Sequence, residues 1–185
     1  MANYLMNSLR FFFVLLLCFL LGSCSSGLAG GFEAYQSSDG RYGFFYPTGW
    51  TRVAVSGGPE VVFHDLINSD ETLSLVISNI DDDSSLDNIG SAETVGKRLI
   101  DTVIAPNGSG RTAELVEAKE REESNHVFYD IEYSLHLPDK DRHELATVVV
   151  DRGSLFTLAA GTNESRWPIV KDLFARVITS FSFFI

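Results

Sequence analysis

Cysteine is nearly absent. The 185-residue chain holds two, Cys18 and Cys24, both within its first 24 positions. A disulfide framework and a cysteine-based zinc site are therefore excluded for everything downstream. Basic residues are scarce as well: 14 Lys and Arg stand against 25 Asp and Glu, a net charge of −11. No basic stripe runs along the sequence, so the electrostatic footprint of a nucleic-acid binder is missing. A long hydrophobic run is also lacking. The most apolar stretch, residues 11–21, has 11 residues, whereas crossing a bilayer takes about 20. There is no internal repeat, no low-complexity tract and no second linker. With 45% apolar and 21% charged residues, the chain has the composition of one folded domain rather than of a disordered segment.

What is present begins with a leader. Arg10 is the one charged side chain ahead of residues 11–21, and Leu21-Gly22-Ser23-Cys24 follows them. A basic start, a short apolar run and small residues make a signal peptide. The last four residues resemble the bacterial lipobox, in which small residues fit a peptidase that cuts before the cysteine and the thiol then carries a diacylglyceryl group. The expected layout is a signal peptide at 1–23, a lipid anchor and tether at 24–31, with Cys24 lipidated, and one domain at 32–185. A mature chain starting at Cys24 has 162 residues, and loss of Arg10 takes its charge from −11 to −12. Acyl chains contribute about 0.8 kcal/mol per buried CH₂, enough for durable anchoring. The seven residues after Cys24 span roughly 15 Å as a flexible chain, which is expected to hold the domain close to the membrane.

Strand-like segments dominate the domain: Tyr42–Tyr46, Thr51–Val55, Glu60–Asp65, Thr72–Asn79, Arg111–Lys119, His126–Leu137, Glu144–Asp151 and Ser154–Ala160. Turn residues separate them, among them Pro47-Thr48-Gly49, Ser56-Gly57-Gly58-Pro59 and Asn68-Ser69-Asp70. In His126–Leu137, Val127, Tyr129, Ile131, Tyr133 and Leu135 alternate with polar residues, and Phe128 breaks the pattern. Glu144–Asp151 and Ser154–Ala160 are near-continuous apolar runs, so both faces of their strands should be covered. Two helices are expected. Ser91 caps one that runs to Val103, with Ala92, Val95, Leu99 and Val103 on one face. The other, Glu164–Ser180, sets Trp167, Val170, Leu173, Phe174 and Val177, with Phe181 just beyond it, on one stripe, and places Pro168 in its first turn. Short connections imply antiparallel pairing. The expected fold class is α+β, an α-β-α sandwich around a central antiparallel β-sheet.

Several stretches taken in order carry a resemblance. They are Arg41-Tyr42-Gly43-Phe44-Phe45-Tyr46-Pro47-Thr48-Gly49-Trp50, Leu86-Asp87-Asn88-Ile89-Gly90-Ser91, Tyr129-Asp130-Ile131-Glu132-Tyr133, Arg142-His143-Glu144-Leu145-Ala146, Leu155-Phe156-Thr157-Leu158, Glu164-Ser165-Arg166-Trp167 and Ser180-Phe181. Together they resemble the photosystem II extrinsic protein P (PsbP) family across residues 32–185, and the lipobox points to its cyanobacterial lipoprotein branch. The resemblance implies an α-β-α fold and a place on the lumenal side of the thylakoid membrane. It implies photosystem II, as a core or an assembly intermediate, for a partner, the membrane through the lipid anchor, and no nucleic acid. Some members of the family help retain calcium and chloride, and others act in assembly. The plant oxygen-evolving member carries a long N-terminal arm implicated in ion retention; here a seven-residue tether precedes the domain. An anchored role in assembly, repair or stability of the oxygen-evolving complex is therefore the expectation.

Enzyme signatures fail on inspection. His143-Glu144-Leu145-Ala146-Thr147 starts like a zinc-protease helix, yet Thr147 stands where the second histidine belongs. Gly108-Ser109-Gly110-Arg111-Thr112-Ala113 follows a helix and precedes a strand, the reverse of a dinucleotide loop. No catalytic residue is assigned, and no cofactor is expected to bind tightly. A metal alternative rests on the hairpin Pro138-Asp139-Lys140-Asp141, which could bring His136 and His143 together with Asp139 or Asp141. Imidazole with carboxylate suits zinc or manganese. The alternatives are a solvated hairpin tip, or a module that binds zinc, manganese or calcium weakly. Asp81, Asp82, Asp83 and Asp87 could offer calcium only oxygen ligands, without the spacing of a dedicated loop. Trp50 and Trp167 are expected in the core. Arg142 and His143 either salt-link a loop carboxylate or contact a partner. A generic envelope lipoprotein is the remaining alternative.

Overall fold

The computed structural model describes residues 31–80 and 85–184. The signal peptide, Cys24 with its tether up to Gly30, and Asp81, Asp82 and Asp83 lie outside the described residues. In chain order come β1 (Phe32–Gln36), β2 (Tyr42–Pro47), β3 (Thr51–Val53), β4 (Val61–His64) and β5 (Thr72–Asn79). Next are α1 (Leu86–Ile89), α2 (Ala92–Leu99) and a π-helical turn at Ile100–Ile104. Then follow β6 (Thr112–Glu123), β7 (His126–His136), β8 (Asp141–Asp151), β9 (Ser154–Asn163), a 3-10 turn at Glu164–Arg166, α3 (Trp167–Thr179) and β10 (Ser182–Phe183).

Seven strands form one sheet in the order β3-β4-β5-β9-β8-β7-β6, and β1-β2-β10 form a small second sheet. Every pair is antiparallel, as the short connections require. One face of the large sheet carries α3 and the small sheet over a core that includes Phe44, Phe63, Phe156, Phe174 and Phe181. The other face carries α1, α2 and the π turn, with Leu86, Val95 and Ile100 packed on Tyr129, Ile131 and Tyr133. Helices thus cover both faces of a central antiparallel sheet, and the α+β sandwich read from the sequence is the fold. Phe128, which breaks the alternation of β7, belongs to the core on the α3 side. The strand is covered twice, so an apolar residue suits either face.

Phe181 is the hub of the first core. Its ring lies 5.4–6.4 Å from those of Tyr42, Phe44, Phe128, Phe156 and Phe183. Each such pair adds about 0.5–1.5 kcal/mol to the gain from burial alone. Trp167 is buried, and Trp50 packs edge-on against Phe174 at 6.0 Å, so both tryptophans serve the core.

The helix expected from Ser91 to Val103 changes character midway. Ser91 caps it as anticipated, its Oγ accepting from the Thr94 N–H. At Ile100 the ladder widens, and the Ala105 N–H reaches the Ile100 carbonyl at 2.8 Å, an i→i+5 bond. The wider turn rotates the apolar stripe. Ile100 is 6% exposed and Val103, expected inside, is 59% exposed. A bulge between Leu115 and Glu117 in β6 likewise turns Val116 outward. Strands β1 and β10 were not expected. Both are short and pair only with β2, so neither shows a long alternating pattern of its own.

Candidate functional site

The β7–β8 hairpin carries the residues named for a metal. Register pairs His136 with Asp141 and Ser134 with His143, which puts all four on one face of the sheet. His136 Nδ1 lies 2.8 Å from Asp141 Oδ1 at the exposed end, and that hydrogen bond and charge raise the imidazole above its usual range. Asp139 is exposed in the turn. His143 goes elsewhere. Its Nε2 is 2.9 Å from Glu132 Oε1, its Nδ1 is 3.0 Å from Glu164 Oε2, and its ring stacks on Trp167 at 4.2 Å and 15°. Both ring nitrogens are taken up by carboxylate oxygens of Glu132 and Glu164 rather than turned toward His136. The expected convergence of His136, His143, Asp139 and Asp141 is thus corrected to two separate arrangements. Among the described residues no three His, Cys, Asp or Glu are placed to hold an ion together. Asp87, considered for calcium, accepts from the Tyr129 hydroxyl at 3.3 Å.

The opposite face of the same hairpin end is also fully engaged. Arg142 donates from Nε to Glu144 at 3.1 Å, from Nη1 to the Asp70 carbonyl at 3.0 Å and from Nη2 to Thr72 Oγ1 at 3.2 Å. The Tyr133 hydroxyl donates to Glu144 Oε2 at 2.7 Å, and burial beside that carboxylate pushes the phenol well above its usual value. Lys140 and Asn163 hold Asp70 below the ordinary carboxylate range. Arg142 and His143 are both hydrogen-bonded within the domain. Arg142 ties the β4–β5 turn to β8, and His143 ties β7 to the start of α3. No histidine hydrogen-bonds a hydroxyl side chain among the described residues.

A second polar cluster sits at the other end of the strands, and no sequence motif marks it. The two-residue turns Ser124-Asn125 and Arg152-Gly153 close β6–β7 and β8–β9 at the same edge. Ser124, Asn125 and Arg152 all have positive φ, at 50°, 64° and 46°. His126 and Asp151 face each other across β7 and β8, with Nε2 to Oδ1 at 3.2 Å, while Nδ1 donates to the Ser124 carbonyl at 3.1 Å. Phe183 stacks on the His126 ring at 4.6 Å. Two adjoining cavities, about 180 and 270 Å³, share His126, Asp151 and Arg152 in their walls. The regular spacing of short hairpin turns was the one signal that could have placed these residues together.

These features define a class: an α+β domain of two antiparallel sheets, the larger covered on both faces, with polar clusters at the hairpin ends tied into internal pairs. The PsbP family model matches residues 30–183, and the chain belongs to the PsbP family. It is 39% identical over 180 residues to CyanoP of Thermosynechococcus vestitus, covering 94% of this chain and 97% of that one. It is 42% identical over 171 residues to CyanoP of Synechocystis sp., covering 90% and 91%. The solution structure of cyanobacterial PsbP (CyanoP) from Synechocystis sp. PCC 6803 superposes with a TM-score of 0.73 at 41% identity, over 89% of this chain and 99% of that one. LpqN, involved in cell envelope biogenesis of Mycobacterium tuberculosis, reaches a TM-score of 0.56 at 12% identity over 86% and 88% of the two chains. At that identity the likeness is one of fold alone.

Proposed function

We propose that this protein is a non-catalytic, lipid-anchored lumenal partner of photosystem II that supports assembly, repair or stability of the oxygen-evolving complex. One observation carries the reading: identity near 40% over nine-tenths of both chains to two cyanobacterial PsbP proteins. The lipobox at Cys24 supports attachment to the thylakoid membrane. A mature charge of −12 favours basic loops on the partner and association that weakens as salt rises. The internal engagement of His143, Arg142 and Glu144 supports a scaffold role over a catalytic one. Calcium, zinc or manganese has a minor place here, since His136 with Asp141 offers one exposed imidazole–carboxylate pair.

Gentle solubilisation of the membranes and capture of this protein is expected to bring down photosystem II subunits. In cells lacking the gene, recovery of centres after photodamage should slow, while oxygen evolution per assembled centre stays near normal. Normal recovery with a sharply lower yield per centre, restored by added calcium and chloride, would assign the protein to ion retention instead.

A further inference from the structure

The cavity at the turn end of the sheet differs in charge from the rest of the molecule. In a chain of net charge −11, its walls bring together Arg41, Arg152 and His126 against one carboxylate, Asp151. That carboxylate is already occupied, because Asp151 Oδ1 takes the His126 Nε2 contact at 3.2 Å. Arg152 Nε stands 3.8 Å from Asp151 Oδ2, beyond hydrogen-bond reach, and its side chain is 70% exposed. Asp39 accepts from the Arg41 backbone N–H at 3.2 Å and, of its guanidinium, from Nε at 2.5 Å; the Nη groups of Arg41 make no hydrogen bond among the described residues. Arg41 and Arg152 therefore both line the cavity and keep guanidinium donors to spare. The imidazole between them is held in place by Ser124, Asp151 and the stacked ring of Phe183.

The remaining wall is apolar. Phe183 closes the back, and Phe184, 44% exposed, forms the lip, its backbone N–H fixed to the Arg41 carbonyl at 2.6 Å. A guanidinium fork matches a carboxylate in two parallel hydrogen bonds. An aromatic lip beside it suits a carboxylate attached to an apolar group better than a bare, hydrated ion. The backbone adds a further pointer. Arg152 sits at φ 46° in its turn, a conformation in which asparagine or glycine is at ease and a long side chain is not. The strain is accepted at a turn position that lines the cavity. We propose that this cradle binds a carboxylate carried on an apolar peptide segment of a partner protein: Arg41 and Arg152 grip the oxygens, and Phe183 and Phe184 pack on the neighbouring side chain. The second cavity, which sets Leu86, Val127 and Val150 beside the polar Asp87, Asn125 and Asp151, continues the groove for uncharged flanking residues of that segment. This chemistry stands whether or not photosystem II supplies the peptide.

The test uses the lipidated protein in detergent and two short acetylated, amidated peptides bearing an uncharged dye. One has a single glutamate between leucines, and the other has glutamine in its place. Fluorescence anisotropy should show the glutamate peptide binding at least tenfold more tightly than its twin. Arg152→Asn keeps the turn, since asparagine tolerates positive φ, and should weaken binding at least tenfold; Arg41→Gln should do the same. Lys97→Gln, an exposed residue on α2, should leave binding unchanged. The proposal is overturned if the two peptides bind alike, if neither binds, or if both arginine variants bind as the parent does. Free acetate competing mole for mole with the peptide would overturn the apolar half of the site.

Discussion

Gly161 shows how tightly single residues are held at the β7–β8 turn end of the sheet. A Cβ there would stand 2.7 Å from Glu144 Cγ and 2.8 Å from Arg142 Nη2. Neither neighbour can swing aside freely. Glu144 holds Tyr133, and Arg142 holds the Asp70 carbonyl and Thr72. Gly161→Ala is therefore expected to cost about 1–3 kcal/mol through overpacking, read as a lower urea midpoint with an unchanged slope. An unchanged midpoint would mean that the network gives way at no cost. Little of this was legible in the sequence. Arg142, His143 and Glu144 follow a polar turn and look like a solvated hairpin arm. His143 is covered by Trp167, 24 residues further on, and by Glu164. No local pattern encodes that contact, which is why His143 read as a metal ligand. The arginine cradle was hidden for the same reason: Arg41, His126 and Arg152 meet only once three hairpin ends are stacked side by side.

Periodicity gave most of the elements themselves. Thr72–Asn79 was placed to the residue, and β7, β8, β9 and α3 to within a few positions, because burial on a pleated or helical face repeats in the chain. It failed where the period itself changes. The π turn at Ile100–Ile104 shifts the phase of the apolar stripe, and no residue type announces it. A pair of variants at this element separates the two phases. Ile100→Ala should cost about 2–5 kcal/mol as a buried large-to-small change. Val103→Ser, on an exposed side chain, should stay within about 0.5 kcal/mol. Thermal melts of both distinguish the cases. Comparable losses would mean that the uninterrupted helix, with Val103 inside, is the one formed in solution.

For the whole molecule, attachment and folding are expected to be separable. The two cores draw on residues between Phe32 and Phe183, so the proposed lipidation of Cys24 is expected to serve retention and not stability. Cys24→Ser should move the protein from washed membranes to the soluble fraction with its circular dichroism unchanged. A serine variant that stays on the membrane would assign retention to protein contacts. The small sheet then fixes a geometry. Strands β1 and β10 flank β2, with Phe32 beside Pro47 at one end and Phe183 beside Tyr42 at the other. Those ends are about 17 Å apart at the usual rise of a strand. The chain enters the domain at the Pro47 end, and the arginine cradle opens at the Tyr42 end. If the proposed anchor and the proposed cradle are both real, strain entering at Phe32 and a ligand held beside Phe183 act on the two ends of the same strand, β2.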